Sequence, residues 1–171
     1  MRHLQDTPRR IVFDVPAALI ELLYGRAVLG LDVAPDLPAT SPVTDHAEAP
    51  ADAGPRWVAL YESALDQYER QDHAFDVFWL MLEDAAELNL DMARAWTNEQ
   101  RRQAADAALM PTKQNSPRLE RRYQSLADGP IWHVLVLPVV GHYFARASSG
   151  VLLTSLETFL DDDAWARAIS G

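Results

Sequence analysis

Two histidines, an arginine and a threonine lie in the most strand-like stretch of the chain, residues 131–155. They are His133, His142, Arg146 and Thr154. If residues 138–141 form a tight turn, the flanking strands pair antiparallel and His133 lies opposite Arg146. A neighbouring guanidinium disfavours the imidazolium form, so His133 would be neutral at pH 7 and able to bind or activate an anion. The spacing therefore predicts a ligand site made of these four residues.

A joint metal site of the two histidines is excluded by the same register. His142 would lie opposite Leu137, which is four residues from His133 along one strand, or roughly 13 Å. Metal–nitrogen bonds are only about 2 Å long, so no metal or cofactor is expected. The alternative interpretation is structural: His133 is an ordinary strand residue and Arg146 reaches a carboxylate of residues 161–163.

A second set of candidate residues is basic. Five arginines of the segment 94–122 are candidate anion contacts: Arg101, Arg102, Arg118, Arg121 and Arg122. Residues 94–122 carry 7 − 3 = +4 charges, whereas residues 32–91 carry 2 − 14 = −12. These two segments would attract each other in the fold, and that is the alternative to an anion site. The net charge of −10 disfavours nonspecific binding to nucleic acid or to an anionic membrane.

Recognisable catalytic motifs are missing from the sequence. Glu69, His73 and Asp76 share one face of a predicted helix, but that face points away from the apolar stripe, which favours a solvated acidic surface over a metal site. The chain has no cysteine, no glycine-rich phosphate loop, no Gly-x-Ser-x-Gly elbow and no His-Glu-x-x-His motif. Whether the protein is an enzyme therefore stays open.

Helices account for most of the remaining chain. Helical spacing predicts a helix over residues 16–30 and a long amphipathic segment from Trp57 to Ala86, as one helix or as two joined near residues 70–72. Residues 77–82 are apolar all round, so the second half of this segment is the candidate central helix. A capping box at Thr97–Gln100 predicts a helix over 98–109. Ser116 with Pro117 predicts another helix start, and a final short helix covers the segment 155–170. Asp161, Asp162 and Asp163 are explained as acids at a helix N-terminus rather than as ligands of a hard cation.

Strands and loops complete the predicted fold. The second turn, at residues 148–150, places Phe144 opposite Thr154 and Ala145 opposite Leu153. We expect an α+β fold in which helices pack on a small antiparallel sheet near the C-terminus, joined by a short strand at 11–13. One face of this sheet is mixed in composition and is predicted to be only partly covered by helices.

The chain divides into three segments of one predicted domain. Residues 1–31 hold a strand and a helix, residues 32–55 form a proline-rich mobile linker or loop, and residues 56–171 hold the helical segment, the sheet and the last helix. No apolar run resembles a signal peptide or approaches the length of a membrane span, so the expected location is the cytoplasm.

These features predict a non-enzymatic binding or regulatory protein that acts on a protein partner or by self-association. A small enzyme or anion-binding domain around His133 and Arg146 is the alternative. Nucleic-acid binding through residues 94–122 is the third hypothesis.

Overall fold

The computed structural model describes residues 10–70 and 89–171. The helices are α1 (Ala17–Val28), α2 (Ala53–Arg70), α3 (Leu90–Ala104), α4 (Ser116–Leu126), α5 (Leu156–Leu160) and α6 (Asp162–Ser170), and the strands are β1 (Val12–Asp14), β2 (His133–Leu137), β3 (Phe144–Arg146) and β4 (Val151–Ser155). A π-helical segment, Ala105–Leu109, continues α3. The predicted α+β class is confirmed. The predicted central helix, in the second half of the long segment around 77–82, lies outside the described residues, and so do His73 and Asp76.

The four strands form a mixed sheet in the order β1-β2-β4-β3. Strands β1, β2 and β4 are parallel to one another, and only β3 runs antiparallel, beside β4. The predicted hairpin between β2 and β3 is wrong, because β4 lies between them. Burial explains this order: β2 and β4 are buried on both faces, as central strands are, whereas β3 has three residues and exposes Phe144, as short edge strands do.

Two local predictions about the sheet are confirmed. The hairpin of β3 and β4 has the predicted register, with Phe144 opposite Thr154 and Ala145 opposite Leu153. The short N-terminal strand also joins the sheet, where Val12 pairs with His133 and its N–H donates to the carbonyl of Trp132 at 2.8 Å. The sheet therefore draws on both ends of the described chain rather than on the C-terminal part alone.

Helices cover both faces of the sheet. One core contains side chains of α1, α2 and α3 against the sheet face that carries Leu135 and Leu153. The other contains side chains of α4, α5 and α6, together with the end of α3, against the face that carries Val134 and Leu152. The mixed face that was predicted to be partly open is not a single face of this sheet. Its β2 residue Leu135 faces α1, α2 and α3, whereas its β4 residue Leu152 faces α4, α5 and α6, and both are buried.

Two helix boundaries differ from the predictions. Helix α3 starts at Leu90, where the side chain of Asn89 accepts hydrogen bonds from the N–H groups of Asp91 and Met92. Thr97, the predicted cap, is therefore buried in the middle of α3. The predicted final helix is divided in two, since Asp161 ends α5 and caps α6 by accepting from the N–H of Ala164 at 2.6 Å.

The proline-rich segment between α1 and α2 has no helix or strand of its own, apart from one bridge between Thr40 and Val139. It packs on the core through the buried Leu37. Backbone hydrogen bonds from Ser41 to Pro138 and from Val140 to Ala39 attach it to the end of β2. This segment thus forms a wall beside the carboxyl ends of the strands. In the part of the chain that the structure describes, no helix combines the length and the apolar character needed to cross a membrane.

Candidate functional site

His133 and Arg146 do not lie next to each other. His133 is opposite Val151 on β4, whereas Arg146 is opposite Leu152. Successive residues of a strand point to opposite faces of the sheet, so these two side chains lie on opposite faces. The predicted cross-strand pairing is wrong because β2 takes β4, and not β3, as its neighbour. A ligand site centred on both side chains is not assembled.

His133 is part of a buried group of ionisable and aromatic side chains. It is 2% exposed, and its Nε2 lies 4.0 Å from Oδ2 of Asp14. The rings of Trp132 and Tyr68 lie 5.3 and 5.7 Å from the imidazole, between centroids. Burial raises the pKa of Tyr68, and the charge of Asp14 adds to this effect. Burial also raises the pKa of Glu21 on α1, against the attraction of Arg94 and Arg101. These side chains fill the space between the sheet and α1 to α3.

The other three predicted ligand residues are dispersed. Arg146 donates from Nη2 to the carbonyl of Ile169 at 3.0 Å, which attaches β3 to α6. Thr154 is fully buried, and its hydroxyl donates to the carbonyl of Ser155. His142 is exposed in the loop before β3. Because the four residues do not face one cavity, their role in binding a ligand stays a prediction.

Most of the predicted anion contacts have partners inside the protein. Arg101 donates from Nε to the carbonyl of Val15. Arg102 forms ion pairs with Glu99 at 2.8 Å and with Asp106 at 3.2 Å. Arg121 and Arg122 both approach Asp162 on α6. Among the described residues, Arg102, Arg121 and Arg122 thus pair with acids of their own segment or of α6 rather than with the acids of residues 32–70.

Arg122 has a structural role that its sequence pattern did not suggest. Its side chain is 4% exposed, donates from Nε and Nη2 to the carbonyl of Phe159, and lies 2.7 Å from Asp162. The guanidinium stacks 5.0 Å from the ring centroid of Trp165. Burial is the main cause of a lowered pKa at Arg122. The available signal was its place between Leu119 and Leu126 on the buried face of α4, whereas the neighbouring Tyr123 is 42% exposed.

The first concave surface is a groove of about 310 Å³ that we name the α1 groove. One wall is the C-terminal part of α1 with Arg26, Ala27, Gly30 and Leu31, and the other is residues 39–43. Arg26 is the one ionisable residue in these walls. Its guanidinium donates to the carbonyls of Leu37 and Pro38, so both of these bonds tie it to the protein.

Three aspartates lie close in sequence to the wall residues of the α1 groove. Asp32 follows the wall residue Leu31, Asp45 lies two residues after the wall residue Val43, and Asp36 lies between them in sequence. Asp45 accepts a hydrogen bond from the hydroxyl of Tyr24, and burial together with this carboxylate raises the pKa of Tyr24 to about 12. The C-terminal end of α1 adds a partial negative charge. The groove is therefore an apolar surface in an acidic environment.

Two further concave surfaces are lined by described residues. A cavity of about 150 Å³, named the strand-end cavity, lies where β1, β2 and β4 end, next to Val15, Pro138 and Leu156. A shallow apolar groove of about 510 Å³ lies between Phe13 of β1 and Tyr123 of α4. None of the three surfaces is lined by His133. No group of three or more His, Asp or Glu among the described residues is placed to share a metal ion.

The chain matches no protein-family model, no curated protein and no solved structure.

Proposed function

We propose that the chain is a cytoplasmic, non-enzymatic protein-binding domain that takes a lysine- or arginine-containing segment of a partner protein into the α1 groove. The observation that carries this proposal is the mainly apolar surface of the groove, with Asp32, Asp36 and Asp45 close in sequence to its wall residues. Both properties are needed, because a basic side chain has an apolar stem and a charged end.

The dimensions and chemistry of the groove suit such a side chain. The methylenes of a lysine or arginine would pack on Ala27, Leu31 and Val43, which line the groove. The charged end would then reach the carboxylates of Asp32 and Asp45 beside it. The positive charge of Arg26 repels a basic ligand less than its position in the wall suggests. Its guanidinium donates to the carbonyls of Leu37 and Pro38 and lies 6.0 Å from the ring centroid of Trp57.

Long-range electrostatics favour the same kind of partner. Residues 32–70 carry eight acids and two arginines, a net charge of 2 − 8 = −6, within a chain of net charge −10. Exposed acids on α2, such as Glu62 and Glu69, extend the negative surface. Such a field accelerates the approach of a basic partner and repels nucleic acid. The arginines that could attract phosphates are mostly paired with Glu99, Asp106 and Asp162.

The test is an NMR and calorimetric titration with two short peptides of equal length, one of lysine and leucine and the other of glutamate and leucine. The Lys/Leu peptide should shift the backbone amide signals of Ala27, Leu31 and Val43, and the Glu/Leu peptide should not. Replacing Asp32→Asn together with Asp45→Asn should weaken binding about tenfold, because each exposed ion pair contributes up to about 1 kcal/mol.

A matched control separates the groove from general charge attraction. The double variant Glu62→Gln with Glu69→Gln removes the same charge from the exposed face of α2 and should change the affinity by less than about twofold. Equal weakening in both double variants would show nonspecific attraction and overturn the proposal. Tighter binding of a single-stranded oligonucleotide, or a mass that doubles with concentration by ultracentrifugation, would favour the nucleic-acid or self-association hypothesis instead.

A further inference from the structure

The strand-end cavity lies where three parallel strands end at one edge of the sheet. Val15 follows β1, Pro138 follows β2 and Leu156 follows β4, and all three residues line it. In sheets of parallel strands, ligands bind in the crevice outside the carboxyl ends of the strands, because loops and helix starts meet there. The location by itself therefore makes this cavity a candidate site.

The lining divides into an apolar floor and a polar rim. The floor is buried and consists of Val15, Ala104, Val136, Leu137 and Val139. The rim carries the side chains of Ser41, Gln100, Gln103 and Glu157, which are exposed or partly exposed. A ligand that fits both must have an apolar body and a polar group at one end.

Hydrogen bonds hold the rim in place. Ser41 donates from its N–H to the carbonyl of Pro138 at 2.9 Å. Glu157 accepts through Oε1 from the N–H of Gly141 at 2.9 Å, which ties α5 to the loop after β2. The hydroxyl of Ser155 accepts from the N–H groups of Tyr143 and Thr158 at 3.1 Å each. Walls that are bonded in this way keep their shape without a ligand, as small-molecule sites usually do.

The polar rim favours a hydrogen-bond donor over an anion. Glu157 is the one ionisable residue in the lining, and its carboxylate only accepts hydrogen bonds. The amides of Gln100 and Gln103 and the hydroxyl of Ser41 can accept as well as donate. Arg101 on α3 donates to the carbonyl of Val15 and does not line the cavity. An anion in the cavity would lie against the charge of Glu157.

We propose that the strand-end cavity binds a small amphipathic alcohol or primary amine, with its alkyl group on the floor and its hydroxyl or ammonium group at the rim beside Glu157. The size fits this class, since a cavity of about 150 Å³ takes a molecule of about six non-hydrogen atoms. This site is separate from the α1 groove and does not depend on a protein partner.

Three probes of one shape test the proposal: isobutylamine, isobutanol and isobutyrate. In NMR titrations of the full chain, the amine and the alcohol should shift the amide signals of Gln100, Val139 and Gly141, and the amine should bind about fivefold more tightly because its bond to Glu157 is charge-assisted. Isobutyrate should cause no shift at the same concentrations. Binding of isobutyrate equal to that of the amine, or no shift with any probe, would overturn the proposal.

Two variants locate the site. Glu157→Gln keeps an acceptor for the N–H of Gly141 and should reduce amine binding to the level of the alcohol, whereas Glu62→Gln on α2 should leave both unchanged. Ala104→Leu should fill the floor and abolish binding of both probes, with the circular dichroism spectrum showing whether the fold is retained. If Ala104→Leu does not fold, Glu157→Gln decides alone: an undiminished preference for the amine contradicts the assignment.

Discussion

At the level of single residues, burial limits which polar side chains a ligand can reach. His133, Thr154 and Arg122 are buried, and each contributes to the interior rather than to an open site. The sequence did not indicate that any residue lining the strand-end cavity belongs to a site. Ser41, Gln100 and Glu157 are far apart in sequence, and only the tertiary fold brings them together. Residue types indicate which chemistry is possible, but position in the core decides whether a ligand can reach it.

Gly150 is the residue whose replacement should most directly disturb the sheet. A Cβ atom at this position would overlap the indole Nε1 and Cδ1 of Trp132, which is itself buried. The carbonyl of Gly150 also accepts from the N–H groups of Trp132 and His133, so the backbone cannot simply move away. We expect Gly150→Ala to lower the free energy of unfolding by about 1 to 3 kcal/mol in urea denaturation, as overpacking does.

Gly25 provides the matched control for this prediction. It lies in the middle of α1, and a Cβ atom there would have no neighbour within 4 Å. Gly25→Ala should therefore raise the free energy of unfolding by about 1 kcal/mol, since alanine is the better helix former. Equal effects of the two substitutions would contradict the proposed contact between Gly150 and Trp132.

At the level of elements, local sequence signals correctly indicated where three of the helices begin. Pro16 before α1, Ser116 at the start of α4 and the aspartates at α6 lie where those helices begin. The helix start predicted from the capping box at Thr97 is wrong. The same residue pattern is compatible with a helix interior, and α3 is capped earlier in the sequence, by Asn89. The register of β3 on β4 was predictable because a short turn determines it, whereas the partner of β2 is distant in sequence.

The cap of α6 predicts a pH dependence of stability. Asp161 accepts from the N–H of Ala164, and this backbone hydrogen bond is the main cause of a lowered pKa of Asp161 in the folded state. A carboxylate with a lowered pKa stabilises the fold above its unfolded pKa of about 3.9, and this contribution disappears as the pH falls through the folded value. Asp161→Ala should therefore be less stable than the parent chain at pH 7, and the difference should shrink below about pH 4.

Denaturation of both proteins by urea at a series of pH values measures this difference. Asp163→Ala is a suitable control, because Asp163 lies in the first turn of the same helix and is not the cap. A stability difference for Asp161→Ala that stays constant between pH 7 and pH 3 would show that the ionised cap does not stabilise α6.

At the level of the whole molecule, the order of the strands determines which backbone groups are protected. Each of β2 and β4 has a neighbour on both sides and a core on both faces, whereas β3 has one neighbour among the described strands. Amide hydrogen exchange followed by NMR should therefore be slowest in β2 and β4, and much faster in β3. In the hairpin arrangement that the local sequence favours, β2 and β3 would be direct neighbours, and Leu135 and Ala145 would show similar protection.

The central place of β4 also has a consequence for synthesis of the protein. Because β3 precedes β4 in the sequence, the ribosome adds 155 − 137 = 18 residues between the end of β2 and the end of β4, which pairs with it. At about 5 to 20 residues per second, this takes about one to four seconds. Throughout that interval β2 lacks its second neighbour, so the backbone N–H and C=O groups on that side are unpaired beside apolar side chains. An exposed edge of this kind is a template for aggregation.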